Sequence, residues 1–117
     1  MKISEIEELL ELEPLNKPQG TDPNVAGGYA SDLLSDVMGK AMADTVWITI
    51  QAHPNIVAVA VLVELSAIIL ANGVKPDQKT LEKAKEQDVI IYGSNKSAFT
   101  LAGELYKAGV LGVRKQE

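Results

Sequence analysis

Two short runs constrain this chain more than anything else in it: Thr45-Val46-Trp47-Ile48-Thr49-Ile50, β-branched and aromatic, and Ala67-Ile68-Ile69-Leu70, wholly apolar. Both read as buried strands. Taken as a parallel pair, they need a crossover between them. Ile56 to Leu65 supplies it as a helix, with Ile56, Val59, Ala60 and Val63 on one face and Asn55 as the N-cap.

The same alternation continues on either side. Ser4 followed by Glu7 is a capping-box pattern, and Ile6, Leu9 and Leu10 predict a first helix reaching about Leu12. Pro14, Pro18, Gly20 and Pro23 punctuate a loop holding at most a few extended residues. Val25-Ala26 reads as a short extended piece that turns at Gly27-Gly28 into a helix capped by Ser31 or Asp32 and carrying Leu33, Leu34, Val37 and Met38. Downstream, Thr80 to Glu86 reads as helix, Val89 to Tyr92 as strand, and Lys96 to Ala108 as a last helix ended by Gly109. The expectation is a single α/β domain over residues 1–117, a mostly parallel sheet with helices on both faces, and a frayed tail over 109–117.

With 46 % apolar and 23 % charged residues the chain can fill a core. Its net charge of −5 repels nucleic-acid backbones and anionic lipid, so no nucleic-acid partner is expected. The apolar stretch from Ile56 to Ala71 is broken by Glu64, which argues against a membrane span. The acidic start, without an apolar signal core, points to a cytoplasmic protein. No cysteine and one histidine exclude disulfides, thiolate chemistry and iron–sulfur ligation, and no metal or cofactor is expected. Charge is uneven: residues 1–44 carry three lysines against nine carboxylates, whereas residues 75–117 carry eight basic against six acidic groups. Solvated faces explain this, as do two complementary surfaces that meet in an assembly.

Ligands of open parallel sheets bind beyond the carboxyl ends of the strands, beside helix N-termini. Four loops fall there: Gly27 to Ser31, Gln51 to Asn55, Asn72 to Asp77, and Gly93 to Ser97. They nominate Gly27, Gly28, Ser31, His53, Asn55, Asn72, Gly73, Lys75, Ser94 and Lys96 as ligand-binding candidates, with a small anionic ligand as the matching chemistry. Glycine, serine and asparagine are equally what turns and caps require. His53 is the one general-base candidate, and Asp32 with Asp36 the one carboxylate pair at helical spacing. No phosphate loop, nucleophile elbow or dinucleotide fingerprint is present, so no catalytic residue is assigned.

Ile68-Ile69-Leu70-Ala71-Asn72-Gly73-Val74-Lys75-Pro76-Asp77, then Val89-Ile90-Ile91-Tyr92-Gly93-Ser94 and Ser97-Ala98-Phe99, resembles the second half of a DRTGG domain. Together with Ala30 to Val37, the chain from about Ile3 to Ala108 resembles small stand-alone DRTGG proteins of anaerobic bacteria. The family's Gly-Asp-Arg element falls on Gln51-Ala52-His53 and its Thr-Gly-Gly element on Ala71-Asn72-Gly73, so only the last glycine is kept. The resemblance implies the fold of the HPr kinase N-terminal domain and a regulatory or dimer-forming role, in some members beside a hydrogenase-related system. It implies neither a cofactor nor an iron–sulfur cluster, for which no cysteine exists.

A helix apolar on every side asks for more cover than a sheet gives, and Val57 and Val61 are the outward positions that need it. A homodimer would supply it, as would burial under the N-terminal segment. The resulting expectation is a non-catalytic regulatory or scaffolding module that dimerises and meets a protein partner. The alternatives are a sensor of a small anion or nucleotide, and a small phosphotransfer enzyme acting through His53 or the Asp32 and Asp36 pair.

Overall fold

Every residue of Thr45–Thr49 (β3) and Ala67–Leu70 (β4) is buried, and the two strands pair in parallel, Trp47 opposite Ile68 and Ile48 opposite Ile69. These strands form the centre of the computed structural model, which describes residues 1–115. Gly27–Ala30 (β2) pairs in parallel with β3, and Ile91–Gly93 (β5) in parallel with β4. Glu13–Asn16 (β1) closes the far side, antiparallel to β5, giving the order β1-β5-β4-β3-β2.

Three helices connect the parallel strands in turn: Leu34–Lys40 (α2), Asn55–Val63 (α3) and Gln78–Gln87 (α4). All three lie on one face, as successive same-handed crossovers between neighbouring strands require, and pack with Trp47, Ile68, Leu70 and Ile91. Ile3–Leu9 (α1) and Ala98–Lys107 (α5) cover the other face through Ile3, Ile6, Leu101 and Leu105, against Val46, Ile48, Ile69 and Tyr92. Alternate residues of each strand thus serve alternate layers. This is the α/β architecture expected, a mostly parallel sheet covered on both faces.

Several local expectations are corrected. Ser4 does not cap α1: its hydroxyl donates to Asp22 Oδ2 (2.7 Å), and the Lys2 N–H donates to Glu5 Oε1 (2.9 Å) at the helix start. Asn55 is the first residue of α3 and not its cap, with Pro54 ahead of it. Gly27 and Gly28 form strand, not turn, because a Cβ on Gly27 would run into Val113 Cγ2 and only glycine admits that approach. Val57 is fully buried, since α3 sits between α2 and α4 and packs on both. The cover of Val57 is therefore internal to the chain, from flanking helices and not from the N-terminal segment, whereas Val61 stays exposed.

The tail is also tied down. Gly28 N–H donates to Leu111 O (2.9 Å), Val113 N–H to Gly28 O (3.2 Å) and Lys115 N–H to Lys40 O (2.7 Å). Fraying expected of residues 116 and 117 lies outside the described residues.

Candidate ligand cleft

Asn72 and Gly73 follow β4 with φ of 59° and 68°, the left-handed region that asparagine and glycine tolerate best. That turn aims two amides sideways: Asn72 N–H donates to Lys96 O (2.9 Å) and Gly73 N–H to Ser94 O (2.8 Å). The loops after β4 and β5 are thereby joined. A Cβ on Gly73 would stand 2.8 Å from Asn95 Oδ1, which would have to swing aside, so the demand for glycine here comes from the left-handed φ. Ser94 Oγ accepts from the Lys96 N–H (3.1 Å), which fixes the bend ahead of the cap residue Ser97.

Above this junction lies a cleft of about 340 Å³ lined by Glu11, Glu13, Gly73, Val74, Lys75, Gly93, Ser94, Asn95 and Lys96. The sheet order explains its walls. The end of β5 supplies the floor, β1 brings Glu13 along one flank, and the loop after β4 brings Gly73 to Lys75 along the other. Glu11 stands at the turn between α1 and β1 with φ of 54°. Lys96 Nζ donates to Glu104 Oε2 (3.0 Å) and to Leu10 O (3.1 Å), so it also fastens the last turn of α1 to α5. Among the described residues no carboxylate pairs with Lys75.

Of the ten nominated ligand residues, the structure brings Gly73, Lys75, Ser94 and Lys96 into this cleft, with Asn72 in the turn that shapes it. Gly27 and Gly28 lie elsewhere, in β2 under the C-terminal segment. Ser31 Oγ accepts from Leu33 N–H (3.2 Å) ahead of α2. His53 Nδ1 accepts from Asn55 N–H (3.1 Å), a local turn bond. Asp32 and Asp36 do not meet: Asp32 Oδ1 accepts from Thr49 Oγ1 and Ile50 N–H (both 2.9 Å), whereas Asp36 Oδ2 accepts from Tyr29 Oη (2.7 Å). That phenol holds the Asp36 carboxyl below its usual range, while burial and then Asp36 push the Tyr29 hydroxyl up. Among the described residues no group of three or more histidines and carboxylates is placed to hold a metal, and no helix is long and apolar enough to cross a membrane.

Glu11 and Glu13 were not nominated by sequence. Their only signal is the docking of β1 beside β5, a contact between the two ends of the described chain.

A five-stranded, mostly parallel sheet with helices on both faces and its loops gathered at the strand ends defines an α/β domain. The chain is similar in structure to the CBS and DRTGG domains of the regulatory region of Clostridium perfringens pyrophosphatase, solved with its activator diadenosine tetraphosphate: TM-score 0.66, 15 % identity, 88 % of this chain and 45 % of that one covered. The likeness is one of fold, and this chain spans a little under half the length of that structure. No protein-family profile matches the chain, and no curated protein does.

Proposed function

We propose that this protein is a regulatory module that senses a small anionic ligand of the nucleotide class in the cleft over β5. The observation that carries this reading is the junction of the β4 and β5 loops, which sets Lys75 and Lys96 around one 340 Å³ space. A similar fold in a regulatory region that was solved with a nucleotide activator supports it. The reading is non-catalytic: His53 Nδ1 accepts the Asn55 N–H in a local turn, and Asp32 Oδ1 ties the loop after β2 to Thr49 and Ile50. The backbone amides of Asn72 and Gly73 are taken by the neighbouring loop, so charge recognition falls to side chains, Lys75 foremost.

Native mass spectra with a panel of nucleotides and phosphorylated metabolites test this. A discrete mass addition is expected, and Lys75→Ala should weaken it by about tenfold, the scale of one charge-assisted hydrogen bond. An unchanged spectrum across the panel would overturn the reading.

A second reading concerns assembly. On α3, Val61 is 45 % and Leu62 71 % exposed, an apolar pair that a second copy would cover. Such a dimer would place the sensor in the regulatory or scaffolding role, beside a hydrogenase-related partner, that the DRTGG resemblance implies.

A further inference from the structure

The cleft holds two groups that a site for a bare polyanion would exclude. Glu11 and Glu13 line it on the β1 flank, opposite Lys75 on the flank of the β4 loop. Lys96 is partly neutralised, since its Nζ already donates to Glu104 and the Leu10 carbonyl. The lining therefore offers one cation without a carboxylate partner and two carboxylates with acceptor capacity. Two strand spacings separate the flanks, about 10 Å of backbone, which inward-reaching side chains shorten.

Resting on the sensor reading above, we infer that the ligand carries one anionic group and a hydroxyl-bearing end, the chemistry of a nucleoside monophosphate, and that this cleft disfavours oligophosphates, in contrast to the diadenosine tetraphosphate of the similar structure. The phosphate meets Lys75. The ribose diol donates to the carboxylate of Glu13, the pairing an acidic residue makes with ribose hydroxyls in dinucleotide-binding folds. A triphosphate chain would instead set several negative charges within one Debye length of both glutamates, where they are poorly screened. Ser94 and Asn95, between the flanks, complete a lining rich in hydrogen-bonding groups.

Titration calorimetry of the full chain tests this with three probes: adenosine monophosphate, its 2′,3′-dideoxy analogue and inorganic tripolyphosphate. Amide shifts of Gly73 and Ser94 in NMR spectra locate the binding. Adenosine monophosphate should bind at least about tenfold more tightly than either other probe, the dideoxy analogue losing hydrogen bonds to a charged group and tripolyphosphate meeting the repulsion of both glutamates. Glu13→Gln, a change at an exposed position, should weaken adenosine monophosphate by about tenfold and narrow its lead over tripolyphosphate. Tripolyphosphate binding as tightly as adenosine monophosphate, or Glu13→Gln leaving the latter unchanged, overturns the inference while the sensor reading stands. Binding of none of the three, with no nucleotide adduct in the mass spectra, overturns both.

Discussion

Helices α3 and α4 do the same topological work on the same face of the sheet, yet their compositions are opposites. Asn55–Val63 contains no charged residue, whereas Gln78–Gln87 carries three lysines and two glutamates and buries only Thr80 and Ala84. The difference lies in position. The middle helix of a three-helix layer touches the sheet and two neighbours, so α3 buries Ile56, Val57, Val59 and Ala60 and leaves a narrow outer strip. At the side of the layer, α4 meets one helix neighbour, the sheet and the approach of β1. A central place in a layer thus accounts for the apolar residues on the buried sides of α3, and not for Val61 and Leu62 on its outer side.

The comparison breaks most visibly under a buried charge. Val57→Asp should cost roughly 4 kcal/mol or more, enough to abolish cooperative urea unfolding, whereas Lys83→Asp on exposed α4 should stay within about 0.5 kcal/mol. Equal losses would mean that α3 is not enclosed. Next comes the polar anchor of α4: Thr80 is fully buried and its hydroxyl donates to Ala52 O (2.6 Å), so Thr80→Val should lower stability by about 1 kcal/mol in the same assay. The two helices should respond alike at their ends. Glu64 and Asp88 are C-caps with φ of 63° and 57°, carrying negative charge where the dipole disfavours it. Glu64→Gly and Asp88→Gly should each raise the thermal midpoint, by about 0.5 to 1 kcal/mol of stability. Smallest in stability is Leu62→Lys, within about 0.5 kcal/mol. If the dimer proposed above forms, sedimentation equilibrium should show the parent chain as a dimer and this variant as a monomer; a parent dimer left unaltered in the variant would remove α3 from the interface.

The alternation of strands and helices was legible because long apolar runs and their spacing are local properties. The order of the central elements and the crossover over α3 follow from Thr45–Thr49 and Ala67–Leu70 alone. Burial of Val57 was not legible, because it depends on which helices stand beside α3, and neighbours within a layer leave no mark on the residue itself. Gly27 illustrates the same limit. A glycine pair suggests a turn by default, and here its missing side chain serves the approach of Val113 from far along the chain. At the cleft, Gly73, Lys75, Ser94 and Lys96 were legible as loop residues after strands, a rule of topology. Glu11 and Glu13 were not, since only the antiparallel docking of a proline-containing edge strand brings them there.

The segment after Gly109 has a structural task of its own. A strand at the side of a sheet exposes unpaired ladder groups, which are a template on which other molecules can grow. Leu111 and Val113 occupy the outer groups of Gly28, while at the opposite margin Pro14 has no N–H to offer. Both margins are thus blunted. A chain cut at Gly109 would lose Val110 from the core and bare β2, turning its margin into a template able to seed fibrous aggregation.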